Sequence, residues 1–157
     1  MIISFDPGYS TGIALINNVN YAKREYDLFR CGVLMFPERA HIATLLKRYS
    51  EQLDVIIIED FLLFEDKALS QVGSRFEPVK VIERITVYCE QLGLADRIIV
   101  QPPTFQKRTL MRGDHTMPAE HYRMIQQLPT KQRPHATSAY KHARYYIWTH
   151  KKSTIDN

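Results

Sequence analysis

The first third of the chain alternates between short apolar runs and turn residues. Met1–Phe5 is apolar and rich in strand-forming residues, and Asp6-Pro7-Gly8 breaks it as a turn. Thr11–Ile16 predicts a second strand, and Asn17-Asn18 predicts the hairpin turn after it. A third strand is predicted over Tyr26–Met35. Together these segments predict an antiparallel meander of three strands.

The rest of the chain alternates between helical and extended patterns. Apolar residues recur on one helical face after Pro37-Glu38, whereas Val55–Glu59 is a β-branched run typical of a strand buried on both faces. The predicted elements are a helix from Pro37 to about Ser50, the strand Val55–Glu59, a helix over Glu77–Leu92, the strand Arg97–Gln101, a short helix around Pro118–Leu128 and a last helix over His135–His150. This order predicts one α/β domain with a mixed sheet over residues 1–157.

Two acidic residues stand at the ends of predicted strands. Asp6 ends the first strand, and Glu59 ends the strand that begins at Val55. A carboxylate at the end of a buried strand costs free energy unless something pairs with it. If the two strands are neighbours, the carboxylates repel each other, and a hard divalent cation such as Mg²⁺ would hold both of them ionised. The alternative is that Asp6 only caps a turn and Glu59 only begins a loop.

The last predicted helix places several polar side chains on one face. His135, Ser138, Ala139 and His142 are spaced i, i+3, i+4 and i+7. Small residues along this helix would let it lie close to the sheet. His135, at its start, would then reach the acidic pair as a nitrogen ligand or a proton shuttle. The alternative is a basic helix whose histidines face solvent.

Basic residues are concentrated in the last third of the chain, although the net charge is only +4 and the pI is about 9.1. Residues 1–104 contain 11 Lys and Arg against 14 Asp and Glu, and residues 105–157 contain 10 against 3. A patch of one sign attracts polyanions, and phosphate backbones are the first candidate. The alternative is a solubilising surface.

Nothing in the sequence predicts secretion or a membrane partner. The longest strongly apolar run, Val55–Ile58, is far too short to span a bilayer. The start of the chain has Asp6 and no basic segment, so we do not expect a signal peptide. Cys31 and Cys89 have no metal-ligand spacing and predict ordinary thiols in a reducing compartment. We therefore expect a cytoplasmic protein.

Five segments, spread over almost the whole chain, form a set of motifs. They are Ile3–Gly8 with Thr11-Gly12, Val55–Phe61, Ser70–Glu77, Gln101-Pro102-Pro103, and His135-Ala136 with Ala139, His142, Ala143 and Tyr146. In order and spacing the set resembles the RuvC-type Holliday junction resolvases, and the last three segments are similar to those of the small phage-type members. The Asp-Pro-Gly motif also occurs in other nucleases and in ATP-binding proteins, so the full set carries the resemblance.

The resemblance implies the RNase H-like fold, with a five-stranded mixed sheet flanked by helices. It also implies a homodimer that cuts four-way DNA junctions by metal-dependent hydrolysis, leaves 5′-phosphate ends and serves DNA recombination and repair. Two Mg²⁺ ions about 4 Å apart would hold the scissile phosphate, with Mn²⁺ as a substitute. The implied catalytic residues are Asp6, Glu59, His135 and Ser138, the first three as metal ligands. The similarity to phage-type members suggests a phage origin, and hence the host cytoplasm.

Ser138 departs from the family pattern, which usually has an aspartate one turn beyond the position of His135. Serine is neutral and a poor magnesium ligand, so one negative charge of the site is missing. Three alternatives follow. Ser138 would bind metal through water, with Asp60 or His142 compensating for the missing charge, or the site would hold one ion tightly and a second weakly. In the third alternative, the protein would bind junctions and cut them poorly or not at all. A second departure is Glu83, where phage-type members often have glycine.

Substrate recognition is expected to use residues outside the acidic pair. The predicted DNA-binding residues are Ser74, Arg75, Phe76, Lys80, Lys107, Arg108, Arg133 and Lys141. Contacts with phosphates would favour the shape of branched DNA over its sequence, and Phe76 would either stack on an unpaired base or belong to the core. The alternatives are a junction-binding protein with little or no cleavage, and a related nuclease that acts on RNA, RNA–DNA hybrid or flap DNA.

Overall fold

The secondary structure follows the predicted order of strands and helices. The structure is a computed structural model and describes residues 1–35, 39–61, 77–103 and 117–150. Its strands are β1 (Ile2–Asp6), β2 (Ser10–Asn20), β3 (Glu25–Met35), β4 (Val55–Glu59) and β5 (Ile98–Gln101). Its helices are α1 (Arg39–Tyr49), α2 (Glu77–Gln91), α3 (Ala119–Gln126) and α4 (Arg133–Thr149), and a short 3₁₀ helix covers Ala95–Arg97. Each predicted strand and helix is therefore confirmed, with ends that differ by a few residues.

The five strands form one mixed sheet in the order β3-β2-β1-β4-β5. β1 pairs antiparallel with β2, and β2 pairs antiparallel with β3, which confirms the predicted meander. β4 lies parallel to β1, and β5 lies parallel to β4. Parallel neighbours need long crossover connections, and α1 and α2 lie in the two crossovers of this sheet. The predicted five-stranded α/β architecture is confirmed.

The turn between β2 and β3 lies at residues 21–24, so its prediction at Asn17-Asn18 was wrong. Asn18 has a φ of 49°, but the pairing of the two strands continues beyond it to Asn20 and Glu25, with a register shift between Asn17 and Asn20. The Asn18 side chain donates a hydrogen bond to Asp27 at 2.7 Å. Asparagine tolerates the left-handed region, and here it serves an irregularity within a long hairpin.

Side chains alternate between the two faces of the sheet and build a separate apolar core on each. On one face Ile3 and Phe5 pack with α1 and α2, and on the other Ile2 and Ile57 pack with α3 and α4. The alternation continues to the strand ends, so Asp6 follows Ile2, and Glu59 follows Ile57, onto the α4 face. The alternating pattern therefore directs both acids towards the last helix.

Small residues let α4 lie close to the sheet. Ala136, Ala139 and Ala143 are completely buried. Under the first turns of the helix lies Gly12 of β2, where an added Cβ would overlap the carbonyl group of His135. Gly12 is also the partner of Asp6 in the pairing of β1 with β2. The backbone of α4 is therefore in close contact with the sheet beside Asp6.

Neither a membrane-spanning helix nor a disulfide is found in the described ranges. No helix there is long and apolar enough to cross a bilayer. Cys31 and Cys89 are both free, and Cys89 is buried in the core between the sheet and α2. Burial, reinforced by the nearby charge of Glu90, raises the pKa of the Cys89 thiol to about 12, so this thiol is a neutral core side chain.

Candidate active site

Asp6 and Glu59 meet at the carboxyl-terminal ends of two neighbouring parallel strands. Phe5 of β1 and Ile58 of β4 are paired in register, so the next residue of each strand is one of the two acids. Both acids line one cleft of about 190 Å³. The other residues that line it are Pro7, Asp60, Phe61, Pro78 and Pro103. The cleft is therefore acidic, with rigid proline walls.

One stripe of α4 contacts both acids. Nδ1 of His135 lies 3.1 Å from Oδ2 of Asp6. One turn further along, the Ser138 hydroxyl donates to Oε2 of Glu59 at 2.8 Å, and Nε2 of His142 lies 3.3 Å from the same oxygen. The structure therefore brings together the four residues proposed as catalytic from the sequence, and the i, i+3, i+7 spacing produces this arrangement.

Gln101 belongs to the same arrangement, although it was not among the predicted site residues. It ends β5, is paired in register with Glu59, and is buried. Its Oε1 lies 2.8 Å from Nδ1 of the completely buried His142. The sequence contained a signal for this role, because Gln101, like Asp6 and Glu59, is a polar residue that ends an apolar strand.

The two carboxyl groups differ in their affinity for protons. Burial, followed by the charge of Glu59 and its hydrogen bond, raises the pKa of Asp6 to about 8. Burial alone would also raise the pKa of Glu59, but the contacts with His142, Ser138 and Asp6 outweigh it and lower this pKa. Near neutral pH the pair therefore carries one proton, on Asp6, and one negative charge.

The acid pair fits a divalent cation. Two adjacent carboxylates are both ionised only if a cation offsets their repulsion, and the raised pKa of Asp6 reflects that repulsion as well as burial. Within the described ranges, no group of three His, Cys, Asp or Glu side chains is arranged to hold a metal ion. Mg²⁺ is often held by one or two carboxylates and keeps several waters, so the donor set suits a partly hydrated ion.

Several predicted DNA-binding residues lie outside the described residues, namely Ser74, Arg75, Phe76, Lys107 and Arg108. Lys80 lies in the first turns of α2, two residues after Pro78 of the cleft, and its Nζ is 3.3 Å from Glu77. A surface ion pair of this kind is weak, so Lys80 can exchange Glu77 for a phosphate at little cost. Lys80 does not line the cleft itself, and its contact with DNA stays a prediction.

Arg133 and Lys141 are the two predicted DNA-binding residues on α4. Arg133 begins the helix, two residues before His135, and its Nε donates to the carbonyl of Leu128 at 2.9 Å. Lys141 is half-buried and directly precedes His142. Neither residue lines the cleft, and the contact of each with DNA stays a prediction.

A larger hollow, of about 380 Å³, shares no lining residue with the cleft. It is lined by Lys80, Glu83, Arg84, Val87, Tyr88 and Gln91 of α2. Glu83 therefore lies among cations of its own helix and adds no carboxylate to the acid pair. The smaller cleft contains the paired acids, so we place the chemistry there.

Three solved structures that match this fold are of Holliday junction resolvases. The chain matches Thermus thermophilus RuvC in complex with a Holliday junction substrate at a TM-score of 0.62 and 14% identity, over 93% of this chain and 94% of that chain. It matches the fowlpox virus Holliday junction resolvase at 0.62 and 15% identity, over 93% and 96%. The chain has the fold of these resolvases.

The RuvC-like fold is matched in a third structure, the fowlpox virus resolvase with its substrate Holliday junction DNA. There the TM-score is 0.56 at 17% identity, over 94% of this chain and 98% of that chain. No protein-family model matches the sequence, and no curated protein matches it significantly. The resemblance read from the motifs is thus confirmed at the level of the RNase H-like, RuvC-like fold.

Proposed function

We propose that this protein is a metal-dependent endonuclease that resolves Holliday junctions and other branched DNA. The observation that carries the proposal is that Asp6 and Glu59 line one cleft, while His135 contacts Asp6 and Ser138 contacts Glu59. The fold supports the substrate class, because it is shared with resolvases that have been solved with Holliday junction DNA. The paired acids support the reaction class, because phosphodiester hydrolysis uses cations held by carboxylates.

Asp6 and Glu59 are the residues that would hold the Mg²⁺, or Mn²⁺ in its place. Such an ion supplies charge neutralisation at the scissile phosphate and lowers the pKa of water towards neutrality. Asp6 must lose its proton to become a ligand, because its pKa of about 8 keeps it largely neutral otherwise. Glu59 is already ionised, since His142 and Ser138 lower its pKa. The two acids therefore enter the reaction in different protonation states.

His135 is the proposed proton-transfer residue. Its ring is anchored by the 3.1 Å contact between Nδ1 and Asp6, while its side chain is 40% exposed. An imidazole held in this way can orient the attacking water and accept its proton. Ser138 donates to Glu59 and orients that carboxylate. Attack of water on phosphorus with departure of O3′ leaves a 5′-phosphate and a 3′-hydroxyl, with no covalent enzyme intermediate.

A homodimer is proposed from the symmetry of the substrate. A four-way junction has twofold symmetry and requires two cuts, and each subunit presents one acid pair. Light scattering of the protein, alone and with junction DNA, should give the mass of two chains. A monomer under both conditions would contradict this part of the proposal.

The deciding experiment is nicking of a labelled four-way junction in Mg²⁺ or Mn²⁺. The wild-type protein should cut it, chelation should stop the reaction, and Asp6→Asn and Glu59→Gln should each lower the rate by roughly 10³-fold. Asp96→Asn is the matched control, because Asp96 is an exposed acid of the 3₁₀ helix outside the cleft. Junctions that stay intact in both metals would contradict cleavage.

A junction-binding protein with weak cleavage is the second candidate, and Ser138 favours it. If the missing aspartate impairs the site, Ser138→Asp should increase cutting strongly, since it adds a carboxylate beside Glu59. If the wild-type site is complete, the same change should leave cutting unchanged or reduce it by adding repulsion. A panel of junction, flap DNA, RNA and RNA–DNA hybrid, at equal concentrations, would identify the substrate.

A further inference from the structure

We propose that His142, held by Gln101, is a positioning residue that fixes the Glu59 carboxylate for cation binding. The inference rests on the proposed function, because Glu59 is one of the two acids assigned there to the cation. It goes beyond that function by assigning a role to two buried residues that do not line the cleft.

The His142 ring is held from both sides. The residue is completely buried, and a buried polar ring costs free energy unless its nitrogens are paired. Nε2 lies 3.3 Å from Oε2 of Glu59, and an ionised carboxylate can only accept, so Nε2 is the donor there. Nδ1 lies 2.8 Å from the carboxamide of Gln101, a group that contains both a donor and an acceptor. The orientation of the ring is therefore fixed.

Gln101 is itself placed by the sheet. It lies opposite Glu59 in the pairing of β5 with β4, and the backbone N–H of Asp60 donates to the Gln101 carbonyl at 2.8 Å. The side chain of Gln101 is only 3% exposed. Strand pairing thus holds Glu59 and Gln101 at the same edge of the sheet, and His142 bridges their side chains from α4.

Two side chains of α4 donate hydrogen bonds to the same oxygen of Glu59. Ser138 and His142 are one turn apart on α4, and both contact Oε2. A carboxylate held in this way is ordered before a cation arrives, so binding loses less side-chain entropy. Because His142 is completely buried, it contacts no DNA and acts through Glu59. This is a supporting role behind an acid, not the role of a metal ligand.

A pair of substitutions separates positioning from general stability. His142→Gln retains an amide N–H near the place of Nε2 and can still donate to Glu59, whereas the shorter His142→Asn retains a polar group only near the place of Nδ1. His41→Gln is the control, since His41 is exposed on α1, which packs on the opposite face of the sheet from α4. Gln101→Met removes the partner of Nδ1 and tests the same proposal if His142→Asn does not fold.

The measurements are Mn²⁺ affinity by calorimetry, single-turnover nicking of the junction, and junction affinity without metal. His142→Asn should weaken Mn²⁺ binding and slow nicking by about 10- to 100-fold, with junction affinity unchanged. His142→Gln should retain most of the Mn²⁺ affinity and of the nicking rate, Gln101→Met should lower both, and His41→Gln should alter neither. The proposal is overturned if His142→Asn matches the wild type, or if the Gln and Asn variants lose both properties equally.

Failure of this inference and failure of the proposed function give different results. Suppose that the wild-type protein binds Mn²⁺, that Asp6→Asn abolishes this binding, and that the wild-type protein nevertheless does not nick junctions. The nuclease proposal then fails, and the Mn²⁺ affinities of the variants alone decide the role of His142. If the wild-type protein nicks junctions and the His142 variants bind Mn²⁺ and nick as it does, the nuclease proposal stands and this one fails. Absence of Mn²⁺ binding by the wild type would overturn both.

Discussion

Gly12 controls how closely α4 approaches the acid pair. It is the partner of Asp6 across β1 and β2, and a Cβ at this position would overlap the backbone carbonyl of His135. That carbonyl belongs to a helix, so it cannot move without shifting the rest of the first turn. The absence of one side-chain carbon is therefore a condition for the contact between His135 and Asp6.

Gly12→Ala is expected to displace the start of α4. Overpacking at a well-packed contact should lower the free energy of unfolding by about 1–3 kcal/mol, and nicking should fall because His135 moves away from Asp6. Gly32→Ala is the matched control, since Gly32 also lies in a strand but an added Cβ there would meet nothing within 4 Å. Urea denaturation and the nicking rate test this, and equal behaviour of the two variants would show that the approach at Gly12 is not critical.

Asp6 should make the metal-free protein less stable as the pH rises. Its pKa is about 8 in the folded protein against 3.8 as the ordinary value, so between these pH values the folded state binds a proton that the unfolded state has released. The unfolding free energy should therefore fall from about pH 4 to about pH 8. Glu59, whose pKa is lowered, contributes only below 4.5. Thermal denaturation in a chelator should show this fall in stability with pH. Asp6→Asn should lack the fall, and Mg²⁺ should reverse it.

At the level of elements, a chain of hydrogen bonds joins α3, α4 and the meander. The N–H of Leu28 donates to Nε2 of His121 at 3.2 Å, so the proton of the neutral ring is on Nδ1, which faces the Tyr140 hydroxyl at 3.0 Å. That hydroxyl lies 2.9 Å from the hydroxyl of Tyr26. Tyr140 is buried on α4 between Ser138 and His142, so this chain fixes the helix that carries the site.

His121 should make the fold sensitive to acid. Burial lowers the pKa of His121 below 6.5 even though Glu120 and Asp27 oppose this, so the unfolded chain takes up a proton more readily. The unfolding free energy should then fall as the pH drops below 6.5. His121→Gln should lack this loss, whereas the exposed His41→Gln should retain it. The variants must be compared with the wild type because protonation of Asp6 raises the unfolding free energy as the pH falls. Identical acid profiles for all three proteins would argue against the role of His121.

For the whole molecule, the uneven distribution of charge is the main expectation for DNA binding. Residues 105–157 contain 10 basic and 3 acidic residues, while the cleft itself is lined by Asp6, Glu59 and Asp60. A cleft of this sign repels phosphate until a cation is bound. Basic residues outside the cleft, such as Lys80 and Arg133, are therefore proposed to supply the attraction that holds the DNA backbone.

Junction affinity should weaken steeply with salt, because binding releases counterions from the phosphates. Arg133→Gln should weaken binding about equally for junctions of different sequence and lower the slope of log Kd against log salt by about 1. Lys47→Gln is the control, because Lys47 is exposed on α1, which packs on the opposite face of the sheet from α4. Fluorescence anisotropy over a salt series measures the junction affinity and its salt slope. Equal slopes for Arg133→Gln and the wild type would show that Arg133 does not contact phosphate.

Local patterns predicted most of the elements and the faces on which they present their side chains. The period of two in β1 and β4 directed Asp6 and Glu59 to one face, and the period of α4 aligned His135, Ser138 and His142. The hairpin turn was misplaced because asparagine favours positive φ both in turns and in strand irregularities, and residues 17–20 do not distinguish the two.

The sequence by itself determined which residues end strands and which share a helical face, since both follow from short-range periodicity. Only the tertiary structure decided that β5 lies beside β4, so that Gln101 stands opposite Glu59 and holds His142 behind it. It also decided that the backbone of His135 packs directly on Gly12. These contacts join residues that are 41 and more than 120 positions apart, and pairing at such distances depends on how whole elements pack rather than on any local pattern.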